Sequence, residues 1–103
     1  MIEFQDWEKI ELRVAEILSA ERISGSDKLI KLEVDLGNEK RTIVAGIYPH
    51  YQPEELVGKQ IIILANLEPR KLMGVESQGM VLATESVVLI SPEKRVKNGE
   101  KIL

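Results

Sequence analysis

Ile30-Lys31-Leu32-Glu33-Val34-Asp35-Leu36-Gly37-Asn38-Glu39-Lys40-Arg41-Thr42-Ile43-Val44-Ala45 is the stretch that decides the architecture. Ile30, Leu32, Val34 and Leu36 alternate with Lys31, Glu33 and Asp35, the period-two pattern of a strand with one buried and one wet face. Gly37-Asn38-Glu39 breaks the alternation with turn residues and Lys40 to Ala45 resumes it, so residues 29–45 read as a β-hairpin. Working back, Ser24-Gly25-Ser26-Asp27 is a turn cluster. Before it, Leu12, Val14, Ile17, Leu18 and Ile23 start at period two and then slip, as a strand does when it bends through a bulge. A helix over Glu8 to Ala20 is the alternative. Asp6 to Ile10 reads as a short helical turn with Asp6 as N-cap.

Working forward, Gly46 to Gly58 contains Pro49 and Pro53. Pro53-Glu54-Glu55-Leu56 suits one helical turn, because proline is tolerated at the first helical position and acids favour the first turn. Gly58 fits its end. Gln60 to Ala65, Val81 to Glu85 and Val87 to Ile90 supply further strand candidates. Five or six short strands, one long and bent, predict an all-β fold: an OB-type Greek-key barrel with a single helical turn between strands 3 and 4 and short terminal additions. The 103 residues fit one domain, 1–103, large enough to bury roughly 60 to 70% of the surface its unfolded chain exposes.

Composition narrows the chemistry. With no cysteine, thiolate metal sites and cysteine nucleophiles are excluded, and a reducing cytoplasm is the expected compartment. No secretory leader is visible at the N-terminus and no apolar run is long enough for a bilayer, so a soluble protein with no membrane contact is expected. Net charge is -3, which by itself argues mildly against a nucleic-acid partner. The distribution says more. Residues 1–21 hold Glu3, Asp6, Glu8, Glu11, Glu16 and Glu21 against Lys9 and Arg13, whereas the pairs Lys40-Arg41 and Arg70-Lys71 lie later and are free to occupy a different face.

Catalytic motifs fail on inspection. Gly74 and Gly79 have the spacing of a phosphate loop, but Met80 and Val81 stand where the phosphate-reaching lysine and the metal-binding hydroxyl belong. A nucleophile elbow needs glycine where Val75 precedes Ser77, and His50 is the one histidine. No cofactor or metal is expected, and no enzymatic activity. Arg70 and Lys71 follow Pro69, which fixes two cations beyond the preceding strand, and either can reach a phosphate. Asn66 both donates and accepts, suiting a 2′-hydroxyl or a base edge, though its commoner partner is backbone in a turn. Ser77 can donate to a phosphate, and Met80 either lays its thioether on a ribose or packs in the core.

Ala65 to Leu82, reading Ala-Asn-Leu-Glu-Pro-Arg-Lys-Leu-Met-Gly-Val-Glu-Ser-Gln-Gly-Met-Val-Leu, closely resembles the signature of the tRNA-binding domain family. That family occurs at the C-terminus of many methionyl-tRNA synthetases, in stand-alone tRNA-binding proteins, and in tyrosyl-synthetase and cytokine-like relatives. The resemblance extends over Leu12-Arg13-Val14-Ala15-Glu16-Ile17, Gly25-Ser26-Asp27-Lys28-Leu29, Arg41 to Ile47 and Pro53 to Lys59. Met73 stands where some members place arginine. The resemblance implies an OB barrel, usually a homodimer, that recognises the outer corner of tRNA by shape and raises local tRNA concentration for methionyl-tRNA synthetase. It assigns binding to Asn66, Lys71, Ser77 and Met80, with Arg70, Arg13, Lys28 and Arg41 as further cations. A related branch includes a small export chaperone, so a peptide-binding module is the alternative. Val87 to Ile90 and the tail Ile102-Leu103 are candidates for the dimer surface or the barrel base.

Overall fold

The computed structural model describes residues 1–103 as nine short elements in the order α1 (Phe4–Trp7), β1 (Leu12–Arg22), β2 (Ile30–Asp35), β3 (Lys40–Ala45), α2 (Pro53–Leu56), β4 (Gln60–Leu64), β5 (Arg70–Leu72), β6 (Val75–Ser77) and β7 (Met80–Val81). The main sheet runs β3-β2-β1-β4-β7, and β5 pairs with β6 in a separate ribbon. The chain is all-β with an OB-like barrel, as its patterning predicts. The alternating residues Ile30, Leu32 and Val34 are fully buried and meet Ile43 and Ala45 across the hairpin.

β1 is one long strand rather than a helix, and its ladder with β2 slips between Ile17 and Ser19. That bulge explains the broken apolar period: Ala15 and Ile17 face the interior before it, Leu18 is left outside, and Ala20 turns back onto the core. The bend lets one strand pair with β4 through residues 12–16 and with β2 through residues 16–22, which is what curls a sheet into a barrel.

Closure is made by side chains as much as by a ladder. Gln78 N donates to Thr42 O (2.8 Å), Thr42 N to Gln78 Oε1 (3.1 Å), and Val44 N to Ser77 Oγ (2.9 Å). Arg41 Nη1 donates to Ala65 O and, at 3.3 Å, to Gln78 O. Gly79 permits this approach, because a Cβ there would stand 2.9 Å from Leu64 O.

The C-terminal segment zips along the part of β1 that β2 leaves uncovered. Val14 N donates to Glu100 O (2.9 Å), Gly99 N to Val14 O (2.7 Å) and Ile102 N to Leu12 O (2.9 Å). Buried Gln60 staples it, donating from Nε2 to Val96 O (2.6 Å) and Asn98 Oδ1 (2.8 Å) while accepting from Val96 N (3.1 Å).

Three local expectations are corrected. Asp6 is the third helical residue rather than the N-cap, and its carboxylate accepts from Glu3 N at 3.1 Å. Arg70 to Ser77, which the patterning does not mark as strand, is a hairpin of two three-residue strands. The apolar runs after Met80 do not form two strands. They reduce to β7 and one bridge between Ala83 and Leu89, with Val87 at φ 63° in the turn that joins the bridged residues.

Candidate nucleic-acid interface

The β5–β6 ribbon lies against β3 and reverses in a two-residue turn, Met73 at φ 52° and Gly74 at φ 81°. Positive φ at both positions is the tight turn that matches strand twist. Its tip rests on the loop after β1, with Met73 Cε 3.2 Å from the point where a Cβ on Gly25 would lie. Its root borders a cleft of about 300 Å³ lined by Lys40, Arg41, Leu67, Pro69 and Gln78 among others. The ribbon is thereby fixed between the loop leading to Lys28 and the turn leading to Lys40.

Arg70 lies opposite Ser77 and Lys71 opposite Glu76. Opposed residues share a ribbon face and neighbours alternate, so the adjacent cations of the sequence stand on opposite faces. Both are exposed. The ion pairs of the molecule use Lys9, Arg13, Lys31, Arg41 and Arg95; of the cations without a carboxylate partner, Lys28, Lys40, Arg70 and Lys71 lie on or next to the ribbon, and Arg22, Lys59, Lys94, Lys97 and Lys101 lie elsewhere. Met80 follows the ribbon root, pairs with Leu64 and is 48% exposed, while Met73 at the tip is 56% exposed. Core packing is not the role of Met80.

The remaining residues singled out from sequence are placed elsewhere. Ser77 is 4% exposed, and its hydroxyl both accepts from Val44 N and donates to Gly79 O (3.0 Å). The expected phosphate donor is a seam bolt of the barrel. Ser77→Ala leaves the buried Val44 N–H without its acceptor, a loss of about 1 to 3 kcal/mol, to be read as a lower midpoint in thermal unfolding while RNA affinity measured well below that midpoint stays within twofold.

Asn66 also spends its amide on the fold. Its Oδ1 accepts from Glu11 N (2.9 Å) and its Nδ2 donates to Lys9 O (2.6 Å), tying the strand exit to the segment before β1. Arg13 is held by Glu11 Oε1 (2.6 Å) and Gly99 O (2.9 Å). Arg41 is held by Glu39 Oε1 (2.6 Å) besides the seam carbonyls. These arginines line a second cleft, of about 910 Å³, in which Glu11, Glu39 and Glu100 balance them with Lys97. The structure therefore gathers Arg70, Lys71 and Met80 around one ribbon and its base with Lys28 beyond its tip, and turns Asn66, Ser77, Arg13 and Arg41 into supports. Lys40, at the ribbon root, is a cation the sequence reading passed over as a site. No group of three or more His, Cys, Asp or Glu residues is arranged to hold a metal ion, and no helix is long and apolar enough to cross a membrane.

Fold and rim together define a small OB-type barrel with an exposed cationic ribbon. Residues 12–101 match the family model described as "Putative tRNA binding domain", and the chain belongs to that family. It is 58% identical over 104 residues to a methionine–tRNA ligase of Methanococcus aeolicus, an alignment covering 99% of this chain and 16% of that protein. A methionine–tRNA ligase of Thermotoga maritima is 51% identical over 104 residues, with 98% of this chain and 16% of the relative covered. The chain thus spans about one sixth of the length of these relatives. Among solved structures, a MetRS related protein from Pyrococcus horikoshii superposes with TM-score 0.91 at 43% identity, covering 100% of this chain and 98% of that one. The chaperone CsaA of Bacillus anthracis superposes with TM-score 0.92 at 32% identity, covering 100% and 99%.

Proposed function

We propose that this chain is a non-catalytic module that grips tRNA at its outer corner by shape and raises the local tRNA concentration for methionyl-tRNA synthetase. The observation that carries the reading is the ribbon. Arg70 and Lys71 stand free on its two faces, and Lys28 and Lys40 lie beyond its tip and root. A-form RNA offers phosphates and 2′-hydroxyls across a shallow minor groove, which are recognised by contour rather than by sequence. Lys71 on the outer face and Arg70 at the root of the face that packs on β3 are each exposed and can meet a phosphate. The charge balance of -3 limits each barrel to a few phosphate contacts, so affinity rises most cheaply by pairing barrels or by tethering one to a catalytic partner.

Homodimer formation belongs to this reading. The apolar end formed by Phe4, Trp7, Ile10, Ile102 and Leu103 is better exposed than the run from Val87 to Ile90, with Phe4 at 73% and Leu103 at 99%. The cytoplasm, where tRNA and the synthetase meet, is the compartment this reading requires.

The likeness to a chaperone supports one competing reading, in which Leu67, Met73 and Met80, all exposed, hold unfolded peptide through soft apolar contacts. Titrating the protein with whole tRNA, an isolated anticodon stem-loop and an unfolded polypeptide at two salt concentrations separates the two. Selective binding of whole tRNA, weakened steeply by salt through counterion release, is the expected result, with light scattering on the same sample reporting a dimer. Tight, salt-insensitive polypeptide binding would instead establish the chaperone reading.

A further inference from the structure

Arg22 closes β1 and pairs with Ile30 in the ladder, yet its side chain takes no carboxylate. Its guanidinium carbon lies 3.8 Å above the centroid of the Tyr48 ring. Tyr48 is half-buried and packs against the interior cluster, and its backbone N–H donates to Lys28 O at 3.0 Å, so both the ring and the main chain that carries it are anchored. Arg22 itself is exposed. The guanidinium thus stands at contact distance over the ring on a residue that remains open to solvent, a position from which it can offer its far side to a ligand. The loop that links Arg22 to Lys28 is the loop whose Gly25 meets the ribbon tip at Met73.

The contrast with the molecule's other such pair is informative. Lys59 Nζ stands 5.4 Å from the Tyr51 centroid, but an ammonium has no second flat face, and the Tyr51 hydroxyl is already the acceptor for Leu89 N at 3.0 Å. Only the Arg22–Tyr48 pair presents a plane. Planar guanidinium groups stack on unpaired bases as aromatic rings do, and a ring beneath pre-orders the side chain and lowers the entropy lost on binding.

We propose that the Arg22–Tyr48 stack is a platform for one unpaired nucleobase of the bound RNA, with Lys28 taking an adjoining phosphate. This rests on the RNA-binding reading above and adds to it a base contact that shape recognition alone does not contain. The plane, not the charge, is the operative feature.

Arg22→Lys keeps the charge and removes the plane, so whole-tRNA affinity falls about tenfold, the scale of one lost stacking contact. The dependence on salt keeps its slope and the melting temperature changes little. The decisive arm is a set of tRNAs each lacking one base among the unpaired nucleotides of the two corner loops. One of them binds the unaltered protein about tenfold more weakly than intact tRNA and suffers no further loss against R22K. Unchanged affinity of R22K, or equal losses for every such tRNA in both proteins, overturns the platform while leaving the broader reading intact. If the unaltered protein binds no tRNA, both fall together.

Discussion

Gly99→Ala lowers the melting temperature by roughly 15 °C. A Cβ at this position would lie 2.1 Å from Leu36 O and 3.0 Å from Leu36 C, on a residue at φ +88°. The left-handed conformation costs a side-chain-bearing residue about 1 to 2 kcal/mol, and the overlap with backbone, which cannot swing aside as a side-chain tip can, adds about 1 to 3 kcal/mol. A total near 3 kcal/mol converts to about that shift for a domain of this size. The damage spreads because Gly99 N and O both hold the tail, through Val14 O and Arg13 Nη1. Differential scanning calorimetry reads the outcome, and a midpoint within three degrees of the unaltered protein would show that the tail is not part of the cooperative unit.

Removing both ribbon cations, R70A/K71A, weakens tRNA binding by about 30-fold near physiological salt. Each phosphate neutralised contributes about 0.9 to the logarithmic salt slope, and at about 0.15 M ions one such contact is worth roughly fivefold in affinity. Two contacts multiply. The slope itself falls by about two, which distinguishes lost charge from lost shape. Because both side chains are exposed and neither is in an ion pair, the thermal midpoint is expected to move little. A filter-binding series over salt tests both numbers, and an unchanged slope would remove the ribbon from the interface.

The barrel was legible because its main elements announce themselves locally. Ile30 to Val34 alternate without a fault, Leu12 to Ile23 carry the slipped period of a bulge, and Pro53 starts the one turn of helix where proline is tolerated. The ribbon was not legible. Its strands are three residues each, its apolar content is Leu72 and Val75, and its turn places a methionine at positive φ, which no propensity favours. Val87 to Ile90 is the opposite case, since its β-branched residues suggest a strand where the structure has a turn at Val87 and a single bridge at Leu89.

The site divides along the same line. Arg13 and Arg41, further cations by resemblance, each follow by two residues the glutamate that pairs with them, Glu11 and Glu39, and two residues is the spacing that puts side chains on one strand face. Ser77 and Gln60, by contrast, meet partners 33 and 36 residues away, and no local pattern marks such a residue as structural rather than functional. The Tyr48 platform was missed for the same reason, since Arg22 and Tyr48 are joined only by the fold.

Ser77 bolts β3 to the barrel and is also the last residue of the strand opposite Arg70, so the element proposed to meet RNA and the fastener of the wall are a single piece of chain. Whatever grasps the ribbon also resists the parting of that wall, and occupancy and resistance to unfolding are thermodynamically linked at one short strand.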